Sequence, residues 1–399
     1  MSRPKPSGQG PGERGRRSEE PPILLPALRG SILRRLRPAL GAPREIRVEV
    51  PYTIANVGPG FDRAALCLDQ PREQVSFLPG NSPLRVETRG DPRVPCEPDC
   101  HVSAIALRSV VRRLGSEDPG GKLVVVKSIP GGSGLGSSGA SAVGGALVGA
   151  ISLGASLRDP LVVEQVLRAA ADGEAAAAGT SHFDNVAASL FGGFVVIESV
   201  DPLRIHRIDL SRRFAVALAR PSTPLATHRS RQVVPERIDR ADVVANLGAF
   251  GALILALLRR DGPSVGRSLI DRIAESYRAP LVPGFCEAIE SARSAGAWGA
   301  GLSGSGPTVF ALASPALALP VARAMAIALR RQGLPATPSM ARPGSGARLV
   351  SRREGPTAPT DRFGSSTPIA LDGCASTSRV HKAHSAAGAL ATGGFDGGE

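Results

Sequence analysis

A chain of 399 residues has the length for two or three domains and ample apolar sequence for buried cores. Its formal charge of +13 invites a polyanionic partner, but residues 1–43 alone hold nine Lys/Arg against three Glu, a local +6. That distribution argues against a nucleic-acid-binding core. The five cysteines, an odd number without a secretory leader, argue against a disulfide scaffold and suit a reducing compartment.

The head, residues 1–43, is rich in Pro, Gly and Arg, has no hydrophobic period and reads as disordered. Glu13, Glu19 and Glu20 speak against an organelle transit peptide. Arg47-Val48-Glu49-Val50 alternates as a half-buried strand and leads into a loop of turn formers, Pro51 to Asp62, in which Asn56 and Asp62 carry the hydrogen-bonding and charge capacity. Cys96, Cys100 and His101 offer three metal-binding side chains, yet no second ligand pair follows at zinc-site spacing, so no zinc site is expected. A helical pattern covers Ser103–Leu114, and Leu123–Val126 reads as a strand.

The next segment is the most informative: Pro130-Gly131-Gly132-Ser133-Gly134-Leu135-Gly136-Ser137-Ser138. Glycines let an anion approach the backbone, and the start of the following helix presents free N–H groups and the positive end of its dipole. No Gly-Lys-Ser/Thr closes the loop, so it is not a Walker A motif. Gly134, Gly136 and Gly139 fit the dinucleotide pattern G-x-G-x-x-G, but Asp159, where the ribose-binding acid should stand, precedes Pro160 at a helix start. Residues 128–157 carry no charge, and their density of Gly and Ser favours a buried helix, Gly139–Leu153, over a membrane span; no membrane segment is expected.

A third helix is expected at Leu161–Ala178, with Glu174 a lone acid among alanines and a fair ligand for a hard metal ion. His182, Asp184 and Asn185 then cluster before an apolar Gly-Gly hairpin or strand at Leu190–Val196. A new strand at Phe214–Leu218 opens a second domain, in which Arg231 and Arg278 stand in motif-like settings. Gly299–Thr308 forms another Gly-rich turn before a strand at Val309–Leu312, and a helix at Leu319–Gln332 closes the domain. From about 346 the chain is Gly/Ala/Ser/Thr-rich and aperiodic, with no structure expected.

Gly-Leu-Gly-Ser-Ser, four residues after Pro130, resembles the nucleotide loop of the GHMP kinases. Pro51–Asp62, His182–Ala187, Thr227–Pro235, Ser276–Phe285 and Gly299–Thr308 resemble, in order, signatures of that superfamily and above all of its homoserine kinase branch. The resemblance implies an α+β two-domain fold: an N-terminal ribosomal-protein-S5-domain-2-like α/β domain at 44–204 and a C-terminal ferredoxin-like α/β domain at 205–345. It implies ATP held by Pro130–Ser138, Mg²⁺ held by Ser138 and Glu174, and L-homoserine as acceptor, giving the O-phospho ester, a precursor of threonine. Arg231 and Arg278 would hold the substrate carboxylate, Asp62 with His182 the ammonium, and Asn56 with Asn185 the hydroxyl. Asn185 and Asp184 would be catalytic, Asp184 being the acid to suspect if a base is used. A cytoplasmic enzyme, possible as a homodimer, is the resulting expectation. Tyr52 and Ile54 replace residues that are small in the family, and Cys100-His101 stand where an asparagine usually frames the base. Another GHMP small-molecule kinase, or a non-catalytic binding or sensor protein of this fold, remain as alternatives.

Overall fold

The computed structural model describes residues 44–179, 182–210, 212–354 and 367–368; the basic head therefore lies outside the described residues. The first sheet is built around two long antiparallel strands, β1 (Arg44–Ala55) and β2 (Ala64–Pro79). Ile46, Val48, Val50, Tyr52 and Ile54 of β1 all point into the core, as strand alternation requires. β4 (Gly121–Val126) joins β2 antiparallel, and β3 (Arg85–Arg89) joins β4 parallel. The other end of β2 pairs with β5 (Phe194–Val200), which pairs with β6 (Leu203–Ile208).

Two helices, α2 (Ser137–Ser152) and α4 (Phe183–Phe191), pack on this sheet, and α1 (Val102–Arg113) and α3 (Pro160–Ala178) pack against α2 and each other. α2 is buried along most of its length, which its small residues permit. A Cβ at Gly145 would stand 2.0 Å from the Ser103 carbonyl oxygen, so glycine is what lets α1 and α2 cross at backbone distance. Asp159 caps α3, accepting a hydrogen bond from the Leu161 amide at 2.9 Å, a structural role in place of a ribose contact.

The second sheet runs β10 (Ala336–Ala341), β7 (Ala215–Pro221), β9 (Val309–Ala313), β8 (Gly299–Leu302), all antiparallel. α10 (Ala318–Arg331) and α9 (Phe285–Ser294) pack on one face. α5 (Thr227–Gln232), α6 (Arg240–Arg259), α7 (Gly262–Ser268) and α8 (Glu275–Arg278) lie between β7 and α9 in the chain. Phe214, Val216, Leu218, Phe310 and Leu312 belong to the same continuous core as β1 and β2, so the two halves share buried surface.

One expectation is corrected. The chain past 346 is not wholly without structure: β11 (Arg348–Glu354) pairs antiparallel with β1, and a short β12 (Thr367–Pro368) pairs with β11. The backbone ladder and an Arg348–Glu49 contact of 2.6 Å fix this strand, features that no side-chain period announces. Among the described residues, α6 is the one helix long and apolar enough to cross a membrane, by length and composition alone.

Candidate active site

The segment between β4 and α2 is an anion cradle by construction. Its carbonyls face protein: Gly132 O accepts from the Leu225 amide, Ser133 O from Thr308 Oγ1, Gly134 O from Ser303 Oγ and Leu135 O from the Thr53 amide. The amides of Gly132 to Gly136 donate to none of the described residues and remain for a ligand. Gly132, Gly134 and Gly136 hold φ values of 73°, 78° and 64°, where a side chain is strained. α2 begins at Ser137, two residues before the helix expected from the sequence, which places both serines in its first turn beside the dipole's positive end.

Beneath the loop lies a buried polar network that sequence reasoning missed. Lys127 Nζ donates to Glu73 Oε2 at 3.1 Å, Ser137 Oγ at 3.1 Å and Ser141 Oγ at 2.7 Å. The Tyr52 hydroxyl donates to Glu73 Oε2 at 3.2 Å and accepts from the Ser128 and Ile129 amides at 3.1 Å each. Burial, then the Glu73 charge, pushes the Tyr52 hydroxyl well above its usual pKa. The large residue that departs from the family pattern thus braces the entry to the phosphate loop. The only sequence signal for it was that departure.

Ser138 Oγ donates to Glu174 Oε1 at 2.9 Å. Glu174 Oε2 is buried without a partner, and so is Ser133 Oγ. Desolvation raises the Glu174 carboxyl to about 7, with Ser138, Lys127 and Arg231 acting against it. An orphaned carboxylate oxygen beside a hydroxyl, in a cleft meant for phosphates, fits a hard divalent cation that takes its other ligands from phosphate and water. No cluster of three His, Cys, Asp or Glu that could hold a metal exists among the described residues.

The other end of the cleft is built by β1's exit loop, the start of α4 and the second domain. Asn56, Val57 and Asp62 adopt φ of 68°, 49° and 54°, strained values that cluster where the loop lines the cleft. Asn56 Oδ1 accepts from the Asp62 amide at 3.2 Å. Arg231, on α5, grips Asp62 with contacts of 3.0 and 3.4 Å, and its Nη2 lies 3.1 Å from His182 Nδ1. Desolvation, with the Arg231 charge next, lowers the His182 pKa, so its Nδ1 faces the guanidinium as a neutral acceptor.

Arg278 is buried. Its Nε and Nη1 donate to Ser230 O at 3.1 Å and Gly304 O at 3.0 Å, and its guanidinium stands 5.3 Å over the Phe61 ring. Two of its nitrogens are therefore held by backbone carbonyls of the protein.

Asp184 and Asn185 sit in the first turn of α4, between the two ends. Asn185 Oδ1 accepts from Thr53 Oγ1 at 2.6 Å, tying α4 to β1. Asp184 Oδ1 accepts from the Asn185 amide at 2.8 Å. Desolvation, then the Asp62 charge, raises the Asp184 carboxyl to about 7, the range of a general base at neutral pH. Every sequence-expected site residue except Pro130 and Leu135 lines this one cleft; Leu135 is buried beneath the loop. Ala55, Thr227, Gly304 and Ser305 line it as well; all four lie within the signatures read from the sequence, though no role was expected of them individually.

A second cavity opens from the cradle, sharing Gly131, Gly132, Ser137, Ser138 and Thr227 with the cleft. Val94, Pro95, Val102, Pro224 and Leu225 give it apolar walls, with Cys100 and His101 at its edge. It has the character of a nucleobase site next to a phosphate loop. His101 is buried, bonds Thr88 through Nε2 at 3.0 Å, and burial lowers its pKa to about 4.

This combination, a backbone phosphate cradle with a base pocket on one side and a charged small-molecule pocket on the other, defines a small-molecule kinase. The family models for the GHMP kinases N terminal domain and GHMP kinases C terminal match residues 101–193 and 253–331. A homoserine kinase from Pyrococcus furiosus is 40% identical over 267 residues, covering 67% of this chain and 88% of the relative. One from Thermococcus kodakarensis is 39% identical over 302 residues, covering 76% and 99%. The crystal structure of a homoserine kinase from Cytophaga hutchinsonii superposes with a TM-score of 0.71 at 32% identity, covering 76% of this chain and 97% of that one. The chain is a GHMP kinase and belongs to the homoserine kinase family.

Proposed function

We propose that the protein transfers the γ-phosphoryl group of ATP to the side-chain hydroxyl of L-homoserine, giving O-phospho-L-homoserine and ADP. The observation that carries this reading is the Asp62–Arg231 ion pair at the acceptor end of the cleft. A zwitterionic amino acid entering between them exchanges one ion pair for two: its ammonium faces Asp62 and its carboxylate faces Arg231. Arg278 adds positive charge behind the carboxylate, and His182 orients Arg231. Asn56 shapes the loop that carries Asp62. The relationship to homoserine kinases favours homoserine over other small alcohols.

Phosphoryl transfer passes through a loose transition state, so positioning and charge neutralisation provide most of the catalysis. The loop amides of Gly132 to Gly136 and the start of α2 cradle the phosphates. Ser138 and Glu174 are the residues that would hold Mg²⁺, which when bound supplies neutralisation of phosphate charge. Lys127 fixes the floor of the loop through Ser137. Asn185, anchored by Thr53, steers the acceptor hydroxyl, and Asp184 accepts its proton. The four free cysteines among the described residues suit a cytoplasmic setting.

ADP release by the full chain with ATP and Mg²⁺, comparing L-homoserine with mevalonate, galactose, shikimate and L-serine, tests the reading. Turnover with homoserine alone is expected. Turnover with a non-amino-acid acceptor instead would refute the role of the Asp62–Arg231 pair.

A further inference from the structure

We propose that Arg93, locked in place by Asp91, takes the α-phosphate of the bound nucleotide, an assignment that rests on the ATP reading above. Both residues follow β3, which runs parallel to β4, so the chain leaves the two strands at the same end of the sheet. The two exits run side by side: the Lys127 amide donates to Arg89 O at 2.9 Å, and a Cβ at Gly90 would stand 2.2 Å from Lys127 O. Glycine there, at a φ of 89°, lets the segment after β3 pass at backbone distance beside the entry to the phosphate loop.

The Asp91 carboxylate is buried at that point and fully engaged. Its Oδ1 accepts from Arg93 Nε at 2.9 Å and from the Arg93 amide at 3.2 Å. Its Oδ2 accepts from Arg93 Nη2 at 3.0 Å and from the Gly131 amide at 2.9 Å. The hydrogen bonds from Arg93 hold the carboxyl down to about 2 against its burial, so it stays ionised at neutral pH. Arg93 Nη2 reaches the same glycine, donating to Gly131 O at 3.2 Å. An ordinary surface ion pair contributes little. This one buries its carboxylate and grips both backbone polar groups of one loop residue, which a solvated pair has no reason to do.

The consequence lies in where the guanidinium stands. Gly131 lines both the phosphate cleft and the cavity of apolar walls, and Arg93 lines that cavity beside Val94 and Pro95. A nucleotide with its base in the cavity and its terminal phosphate in the cleft carries its α-phosphate across the junction between them. The Gly131 amide is occupied by Asp91, so the free backbone donors begin at Gly132 and serve the phosphates further along. The side-on pairing with Asp91 uses Nε and Nη2 of Arg93 and leaves Nη1 with no partner among the described residues. Half of the side chain is open to solvent, so Nη1 is free to meet a ligand. Arg93 thus supplies a charged donor at the one stretch of the nucleotide path that the loop backbone does not serve.

The test is calorimetric displacement of a non-hydrolysable ATP analogue from the full chain by adenosine, AMP and ADP, in the parent and in Arg93→Met. Loss of one charged hydrogen bond at a half-exposed site should weaken AMP, ADP and the analogue by a common factor of about tenfold and leave adenosine unchanged. AMP binding that survives the substitution overturns the proposal. So does an equal loss for adenosine, which would put Arg93 on the base or the ribose. A loss that grows from AMP through ADP to the analogue also overturns it, because a mere brace on the loop would act on every phosphate in the cradle. Should the stranded Asp91 charge disturb the loop, Asp91→Asn/Arg93→Met removes that charge, keeps an acceptor for the Gly131 amide and allows the same comparison. A parent that binds none of these nucleotides overturns the ATP reading itself, whereas a parent that binds them no better than Arg93→Met does overturns the arginine's role alone.

Discussion

The buried Glu73–Lys127 pair offers the sharpest test of how the phosphate loop is supported. The two side chains are 0% and 4% accessible and 3.1 Å apart, so neither charge is solvated once the other is gone. Replacing Lys127 with Met keeps the length and removes the cation. Glu73 is then left with only hydroxyl donors, from Tyr52 and Ser141. Breaking a buried pair from one side costs about 3–5 kcal/mol. At roughly 2–4 °C per kcal/mol for a protein of this general size, the melting temperature should fall by on the order of 10 °C. Neutralising Glu73 in the same background, as Lys127→Met/Glu73→Gln, removes the stranded charge and should recover most of the loss, to within about 2 kcal/mol of the parent. Urea and thermal unfolding of the three proteins decide it. A single variant that loses less than about 1 kcal/mol, or a double variant no more stable than the single, would refute the argument. Lys127→Met should also raise the KM for ATP, because Ser137 loses its brace.

Asp184→Asn should lower kcat by about 10²–10⁴-fold, the range for a lost general base. Because burial raises the folded-state pKa of Asp184 to about 7, ionising it opposes folding increasingly as pH rises from the usual carboxylate range through 7. The asparagine variant should therefore melt above the parent at pH 8 and lose that advantage in acid; a variant melting lower at pH 8 would contradict the assigned burial. Gly136→Ala places a methyl 2.0 Å from Thr53 Oγ1 at φ 64°. Strain of about 1–2 kcal/mol and loss of the Thr53–Asn185 bond at about 1 kcal/mol should show in kcat and in the melting temperature together. Glu174→Gln should cost on the order of 10²-fold in kcat and abolish the Mg²⁺ dependence of nucleotide binding, read by calorimetry with a non-hydrolysable ATP analogue.

The parts of the site that declare themselves in sequence are those whose chemistry is local. Gly132, Gly134 and Gly136 are needed because of their own backbone angles, and Ser138 because it follows them. His182–Asn185 and Asp62 stand in short polar phrases bounded by apolar sequence, and the fold brings both to one cleft. What could not be read was long-range. Glu73 on β2 and Lys127 just past the end of β4 lie 54 residues apart, and either alone looks like an ordinary surface charge. The split duty of Arg278 depends on carbonyls of Ser230 and Gly304 that only tertiary structure brings to it. β11 escaped because a strand near the sheet margin, held by its ladder and one ion pair, needs little hydrophobic alternation.

The causes behind Asp184's pKa imply that the base is set by occupancy of the cleft. After desolvation, the Asp62 and Glu174 charges are what raise it, while Arg231 lowers it. In the proposed reaction both acids would lose their effect when the site fills: an acceptor ammonium would compensate Asp62, and a cation at Ser138 and Glu174 would compensate Glu174. Asp184 then ionises more readily in the loaded enzyme than in the empty one. Since kcat/KM reports the free enzyme and kcat the loaded one, the acid limb of kcat should lie at lower pH than that of kcat/KM. Asp62→Asn should move the kcat/KM limb down toward the kcat limb, because it removes the largest charge acting on Asp184 before substrate arrives. Limbs that coincide in the parent, or that stay apart in Asp62→Asn, would mean that the proton leaves by another route.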